Sequence, residues 1–139
     1  MVAGVDDSAA APGVLAFAAQ RATVLKAPLR IIHAWAPMAG LREGTPTVTG
    51  VVTGSKRQPF DDMVSLVRDA YPDLQIEADA LVDRPAAALI AASAKAQLLV
   101  VGTRGLGAFR GLFLGSISQK MLRHASCPVA VVHDPIDQL

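Results

Sequence analysis

Aromatic residues are scarce in this chain: phenylalanine, tryptophan and tyrosine together make up 4% of its 139 residues. A core must therefore be filled by small aliphatics, and apolar residues, led by Ala and Val, do supply 52% of the chain. Such residues in continuous runs suit a buried parallel sheet covered by helices. Cysteine is nearly missing too: the lone Cys127 excludes an internal disulfide and fits a reducing compartment. No charge of one sign prevails. The 13 basic and 12 acidic residues leave a net charge of +1, so nothing draws the chain toward nucleic acid or a membrane surface. No apolar run approaches the ~20 residues of a membrane helix. The opening MVAGVD leaves no space for a signal peptide, so a cytoplasmic protein is expected. A chain near this length buries roughly 70% of its unfolded surface, enough for one domain over 1–139. A strand that begins at residue 1 or 2 suggests one half of a tandem arrangement.

What is present reads as alternating strands and helices. Val2–Val5 is a short apolar strand ending in the polar turn Asp6-Asp7-Ser8. Val14, Ala18, Ala22 and Leu25 recur at helical spacing over 9–26. Ser8 is placed to cap that helix, and Pro12 and Gly13 weaken its first turn. Leu29–Trp35 is the second strand. The stretch 37–57 is rich in Gly, Thr and Pro and has little pattern; 47–53 is a candidate short β-segment. A helix over 59–71 carries the stripe Phe60, Met63, Val64, Val67, Tyr71, with Asp61 and Asp62 at its electropositive start. Alternation over 74–81 predicts a half-exposed strand. Arg84-Pro85 opens a helix with Ala86, Leu89, Ile90 and Ala94 as its buried stripe. A strand over 97–101, a Gly-rich stretch, a helix over 116–124 and a strand over 128–132 complete the chain. Strands joined by helices run parallel, so the expected fold is α/β: a doubly wound, five-stranded parallel sheet with helices on both faces. Ligands in such sheets bind beyond the carboxyl ends of the strands, where the strand order reverses.

The segment 102–116 stands at such an end. It contains Gly102-x2-Gly105-x9-Gly115-Ser116, with five glycines in fourteen residues between a strand and a helix. Glycine lets backbone approach a phosphate closely, and the free N–H groups opening the following helix favour anions. Ser116 and Ser118 offer hydroxyls; Arg104 and Arg110 offer charge. The order GxxxxGK[ST] of a Walker loop is absent, and GxGxxG is not matched. Physics alone leaves a ligand cradle and a plain flexible turn equally open.

This glycine spacing resembles the ATP-binding motif of the universal stress proteins, and the resemblance covers nearly the whole chain. VAGVDDS resembles that family's first strand and its Asp, RIIHAW its second strand, and LLVVGTRG and SCPVAVVH its last two. The resemblance implies a Rossmann-like sheet, akin to the adenine nucleotide alpha hydrolases, in the order 3-2-1-4-5, with ATP across the switch point between strands one and four. Carried over by position, Gly4, Val5 and Ala34 would lie beside the adenine, and Asp6 would meet the ribose or adenosine. Val101, Gly102, Arg104 and Gly105 would wrap ribose and phosphates. Gly115, Ser116, Ile117 and Ser118 would take the phosphates. Asp7 stands where the family often has Gly. With few cations nearby, Mg2+ would help to screen the triphosphate. The resemblance also implies a homodimer through the apolar edge strand 128–133, from Pro128 to His133.

Other residues read as structural. His33, late in an apolar strand, is expected to be a buried, hydrogen-bonded core histidine. Trp35 with Pro37 is expected at the mouth of the sheet, with the adenine side as an alternative. The three histidines lack metal-ligand spacing. His124 suits a helix C-terminus, and Cys127 a small apolar thiol. Ser116 is not in a Gly-x-Ser-x-Gly elbow. The implied function is a nucleotide-dependent regulatory module of the stress response with little or no turnover. Two alternatives stay open. One is an enzyme that slowly cleaves ATP or transfers its nucleotide, using Asp7 to position Mg2+ or water. The other is a nucleotide-free dimeric scaffold acting through the edge strand and the 37–57 loop.

Overall fold

In the computed structural model the chain is described over residues 1–36, 57–103 and 115–133. The expected 47–53 segment, Arg104, Gly105 and Arg110 lie outside these residues. The elements follow one another as β1 (Val2–Val5), α1 (Ala11–Leu25), β2 (Leu29–Trp35), α2 (Gln58–Ala70), β3 (Ile76–Val82), α3 (Pro85–Ser93), β4 (Leu99–Gly102), α4 (Ser116–His124) and β5 (Val129–Val132). All strand pairs are parallel and the sheet order is β3-β2-β1-β4-β5. The connection from β3 through α3 to β4 passes beyond β1. The strand order therefore reverses at β1, and the carboxyl ends of β1 and β4 flank a crevice there.

Strand residues alternate between two cores. Ala3, Ile31 and Val100 pack with α1 and α2 through Val14, Leu15, Ala18, Phe60 and Val64. Val2, Ile32, Leu99 and Val101 pack with α3 and α4 through Leu89 and Met121. The absence of bulky side chains sets the spacing on the first face. Ala18, Ala19 and Ala22 of α1 are fully buried, so the helix lies close against the sheet. On α2 the expected stripe holds: Phe60 and Val64 are buried, and Met63, Val67 and Tyr71 pack partly against the same core. Burying Phe60 contributes roughly 1.5–3 kcal/mol.

Four local expectations are corrected. Ser8 does not cap α1; the N-cap position is Ala10, and no side chain caps the helix. Instead the Ser8 N–H donates to Asp6 Oδ1 at 2.8 Å, an Asx turn that uses the Asp-Asp-Ser run before the helix begins. Leu25 is 56% exposed rather than part of the stripe, because the helix ends there and Lys26 turns into the left-handed region at φ 52°. β3 begins at Ile76, since the backbone of Gln75 already accepts from Leu29 N–H while Leu74 only packs on the core. In α3 the buried positions are Ala88, Leu89 and Ser93, with Ala94 exposed. A helix that is nearly all alanine carries no stripe to read, and Ser93 is buried because its hydroxyl donates to Ile90 O and accepts from Ser126 N–H.

Candidate functional site

The crevice is built from the ends of three strands and the start of one helix. β1 contributes Gly4 and Val5 and then Asp6 and Asp7. In register, Val5 pairs with His33 of β2, so Ala34 lies one residue further toward the same end. Val101 and Gly102 end β4 opposite Val131 and Val132. Gly115 is the N-cap of α4, with extended backbone at φ −73° and ψ 170°, and Ser116, Ile117 and Ser118 form the first turn. First-turn N–H groups have no partner within a helix, so three donors and the positive end of the dipole face this end of the sheet.

The carried-over residues that are described have definite settings. A Cβ on Gly4 would stand 2.6 Å and 2.8 Å from the two δ-carbons of Leu89, so the missing side chain lets α3 sit against β1. Ala34 and Val101 are buried, while Gly102 and Asp6 are half-exposed. Asp6 holds the Asx turn through Oδ1. Ser116 is exposed and Ile117 half-buried. Two groups have prior engagements. The Gly115 N–H donates to Thr103 O. The Ser118 hydroxyl, 1% exposed, lies 3.0 Å from Gly115 O and 3.2 Å from Thr103 O, so its single proton serves backbone carbonyls.

Sequence reasoning passed over Thr103 and the partner of His33. Thr103 N–H donates to Val132 O at 3.0 Å, which extends the β4–β5 ladder one residue into the loop. His33 is 2% exposed, and its Nε2 lies 3.2 Å from Asp7 Oδ1. Its ring stacks on Trp35 with centroids 3.5 Å apart and meets the edge of Phe60 at 5.6 Å. The expected buried, hydrogen-bonded core histidine is therefore present, and Trp35 belongs to its aromatic cluster. Burial pushes the His33 pKa down; Asp7, and more weakly Asp6, pull it back up. Asp7, 40% exposed at its side chain, is thus committed on one oxygen. Cys127 has its pKa raised by burial and its Sγ lies 3.4 Å from Pro128 O, as suits a packed thiol rather than a nucleophile.

Among the described residues no group of three His, Cys, Asp or Glu side chains is arranged to hold a metal ion. A cation at this crevice would arrive on phosphate oxygens and waters, as Mg2+ ordinarily does, with Asp6 and Asp7 the nearby carboxylates. No described helix is long and apolar enough to cross a membrane. A cavity of about 540 Å³ opens elsewhere, at the amino ends of β2 and β3 between Thr23, Lys26, Tyr71 and Leu74. It is remote from the crevice, and its place in an α/β sheet is not where ligands of such folds sit.

The comparisons agree with this geometry. Residues 1–133 match the model of the universal stress protein family. A universal stress protein of Mycobacterium tuberculosis strain ATCC 25618 / H37Rv is 37% identical over 145 residues, covering 96% of this chain and 47% of the relative. The chain thus spans about half the length of that curated relative. A crystal structure of a universal stress protein in complex with cAMP superposes with a TM-score of 0.64 at 26% identity, covering 96% of both chains. A universal stress protein from Archaeoglobus fulgidus, in complex with dAMP, shares the fold with a TM-score of 0.66 at 23% identity, over 94% of both chains. With its strand order, its glycine spacing and a family match over nearly its full length, the chain belongs to the universal stress protein family.

Proposed function

We propose that this chain binds an adenine nucleotide at the carboxyl ends of β1 and β4, with its phosphates on the first turn of α4. The observation that carries the reading is that the first turn of α4, whose N–H groups at Ser116, Ile117 and Ser118 lack partners within the helix, is tied to the end of β4 by the Gly115 N–H to Thr103 O bond, beside the point where strand order reverses. A similar protein that holds cAMP supports the choice of an adenine nucleotide. In this reading Gly4, Val5, Asp6 and Ala34 flank the nucleoside. Val101, Gly102, Arg104 and Gly105 border ribose and phosphates, and Gly115, Ser116, Ile117 and Ser118 present the anion-binding turn. ATP, accompanied by Mg2+, is the proposed ligand, and the Mg2+ would supply charge screening to the phosphates.

The chain then acts as a nucleotide-dependent regulatory module of the cytoplasmic stress response, with little or no turnover. Asp7, the carboxylate an ATP-cleaving enzyme would use, is already hydrogen-bonded to a buried histidine. A homodimer through the edge strand β5, over 128–133, completes the proposal, because among the described strands β5 has a neighbour on one side only.

Mass spectrometry of the small molecule released on denaturation, with calorimetry against ATP and cAMP, tests the ligand. Retained or measurable adenine nucleotide is expected. An empty protein that takes up neither would leave the dimeric scaffold as the function. A steady rate of ADP or AMP formation, lost in Asp7→Ala, would replace the regulatory reading with an enzymatic one. Sedimentation equilibrium tests the dimer.

A further inference from the structure

We infer that Ser118 is a positioning residue: its buried hydroxyl clasps the N-terminus of α4 to the end of β4 and so sets where the anion-binding turn stands. The inference rests on the nucleotide reading above and concerns a residue whose sequence position suggested direct phosphate contact.

The geometry runs through a single carbonyl. Thr103 O accepts from the Gly115 N–H and lies 3.2 Å from the Ser118 hydroxyl. The same hydroxyl lies 3.0 Å from Gly115 O, the carbonyl that also accepts Gln119 N–H at 3.1 Å to begin the helix. The strand side of the clasp is itself fixed, because Thr103 N–H donates to Val132 O at 3.0 Å and Thr103 Oγ1 lies 3.4 Å from the same oxygen. A continuous set of hydrogen bonds therefore links β5, the end of β4 and the start of α4.

The chemistry explains why a hydroxyl stands here. Position 118 is 1% exposed, so its hydroxyl is cut off from water and must find its partners within the protein. A donor on the third helical residue reaches back to the N-cap carbonyl and across to the strand at once, and a methyl group could do neither. Loss of the donor leaves Gly115 O with its helical bond and leaves Thr103 O, among the described residues, with the Gly115 N–H alone. The helix start then has fewer ties to the strand. An anion site made of backbone donors depends on their convergence, so a small shift of the turn weakens all of them together.

The test uses the whole chain in three forms: wild type, Ser118→Ala and Ser118→Thr, the last keeping the hydroxyl. Amide hydrogen exchange at Gly115 is measured without nucleotide, and affinity for ATP and cAMP by calorimetry. Ser118→Ala is expected to speed Gly115 exchange about tenfold and to weaken nucleotide binding about tenfold, with circular dichroism unchanged. Ser118→Thr is expected to restore both. Should Ser118→Ala leave Gly115 protection as in wild type, the clasp is refuted whatever the nucleotide does. Should Gly115 open while affinity stays unchanged, the positioning role is refuted and the clasp is a fold contact. Should the wild type bind neither nucleotide while Gly115 protection depends on Ser118, the functional reading fails and the clasp stands.

Discussion

His33 Nε2 and Asp7 Oδ1 meet at 3.2 Å across the ends of β2 and β1, although the residues are 26 apart in sequence. The imidazole is 2% exposed while the carboxylate opens to solvent, so the pair joins a dry group to a wet one at the rim of the crevice.

That asymmetry fixes a pH dependence. Burial lowers the His33 pKa in the folded state, and Asp7 only partly offsets it. The unfolded histidine, with a pKa near 6.5, therefore takes up its proton first as pH falls. Stability should be level for this group above about pH 6.5 and decline below it, by at most about 1.4 kcal/mol per pH unit. Urea midpoints at pH 7 and pH 5 check this. The decline should be shallower in His33→Gln. A wild-type midpoint that rises toward pH 5 by more than in His33→Gln would contradict the sign.

Charge at the start of α4 separates folding from binding. Ser116 is exposed at the first helical position, and a carboxylate there suits the helix dipole. Ser116→Glu should hold or slightly raise thermal stability, by about 0.3–1 kcal/mol, yet reduce affinity for ATP at least tenfold through repulsion of the phosphates. Scanning calorimetry and nucleotide titration on one sample decide it. Unchanged affinity would remove the turn from the site.

Gly4 is a packing position as well as a proposed neighbour of the nucleoside. A Cβ there would press on both δ-carbons of Leu89. Gly4→Ala should destabilise the fold by about 1–3 kcal/mol, and adding Leu89→Ala should cost less than the sum of the two single changes. Chemical denaturation of the three variants measures the coupling.

Lys26 ends α1 in the left-handed region, at φ 52°, with its N–H bonded to Ala22 O and Thr23 O. Glycine relieves the Cβ strain at the cost of extra freedom when unfolded. Lys26→Gly should therefore stabilise by about 0.5–1 kcal/mol, seen as a higher urea midpoint with an unchanged slope.

The strands that flank the crevice were the most legible parts of the sequence. Val2–Val5 is an apolar run ending in a polar turn and Leu29–Trp35 a mostly apolar run, and the structure returns both with those bounds. The strand order followed from the resemblance rather than from periodicity. What stayed hidden depends on contacts between distant residues. Nothing local to His33 names Asp7, and nothing local to Ser118 shows that its hydroxyl meets a strand carbonyl 15 residues earlier. Ser8 was misread because a hydroxyl before a helix suits a cap, while the Asx turn made by Asp6 competes for the same few residues. The alanines of α3 offer too little contrast in size for a stripe to be read, which is why Ser93 and Ala94 exchanged places.

The tight seating of α1 has a consequence for tuning this protein. Ala18, Ala19 and Ala22 act as the thinnest available spacers between helix and sheet, and the helix begins a few residues after Asp6 and Asp7. A single added methyl group along that row works as a shim. It would tilt or lift the helix and carry the acidic turn with it, altering the rim without touching any residue that lines it.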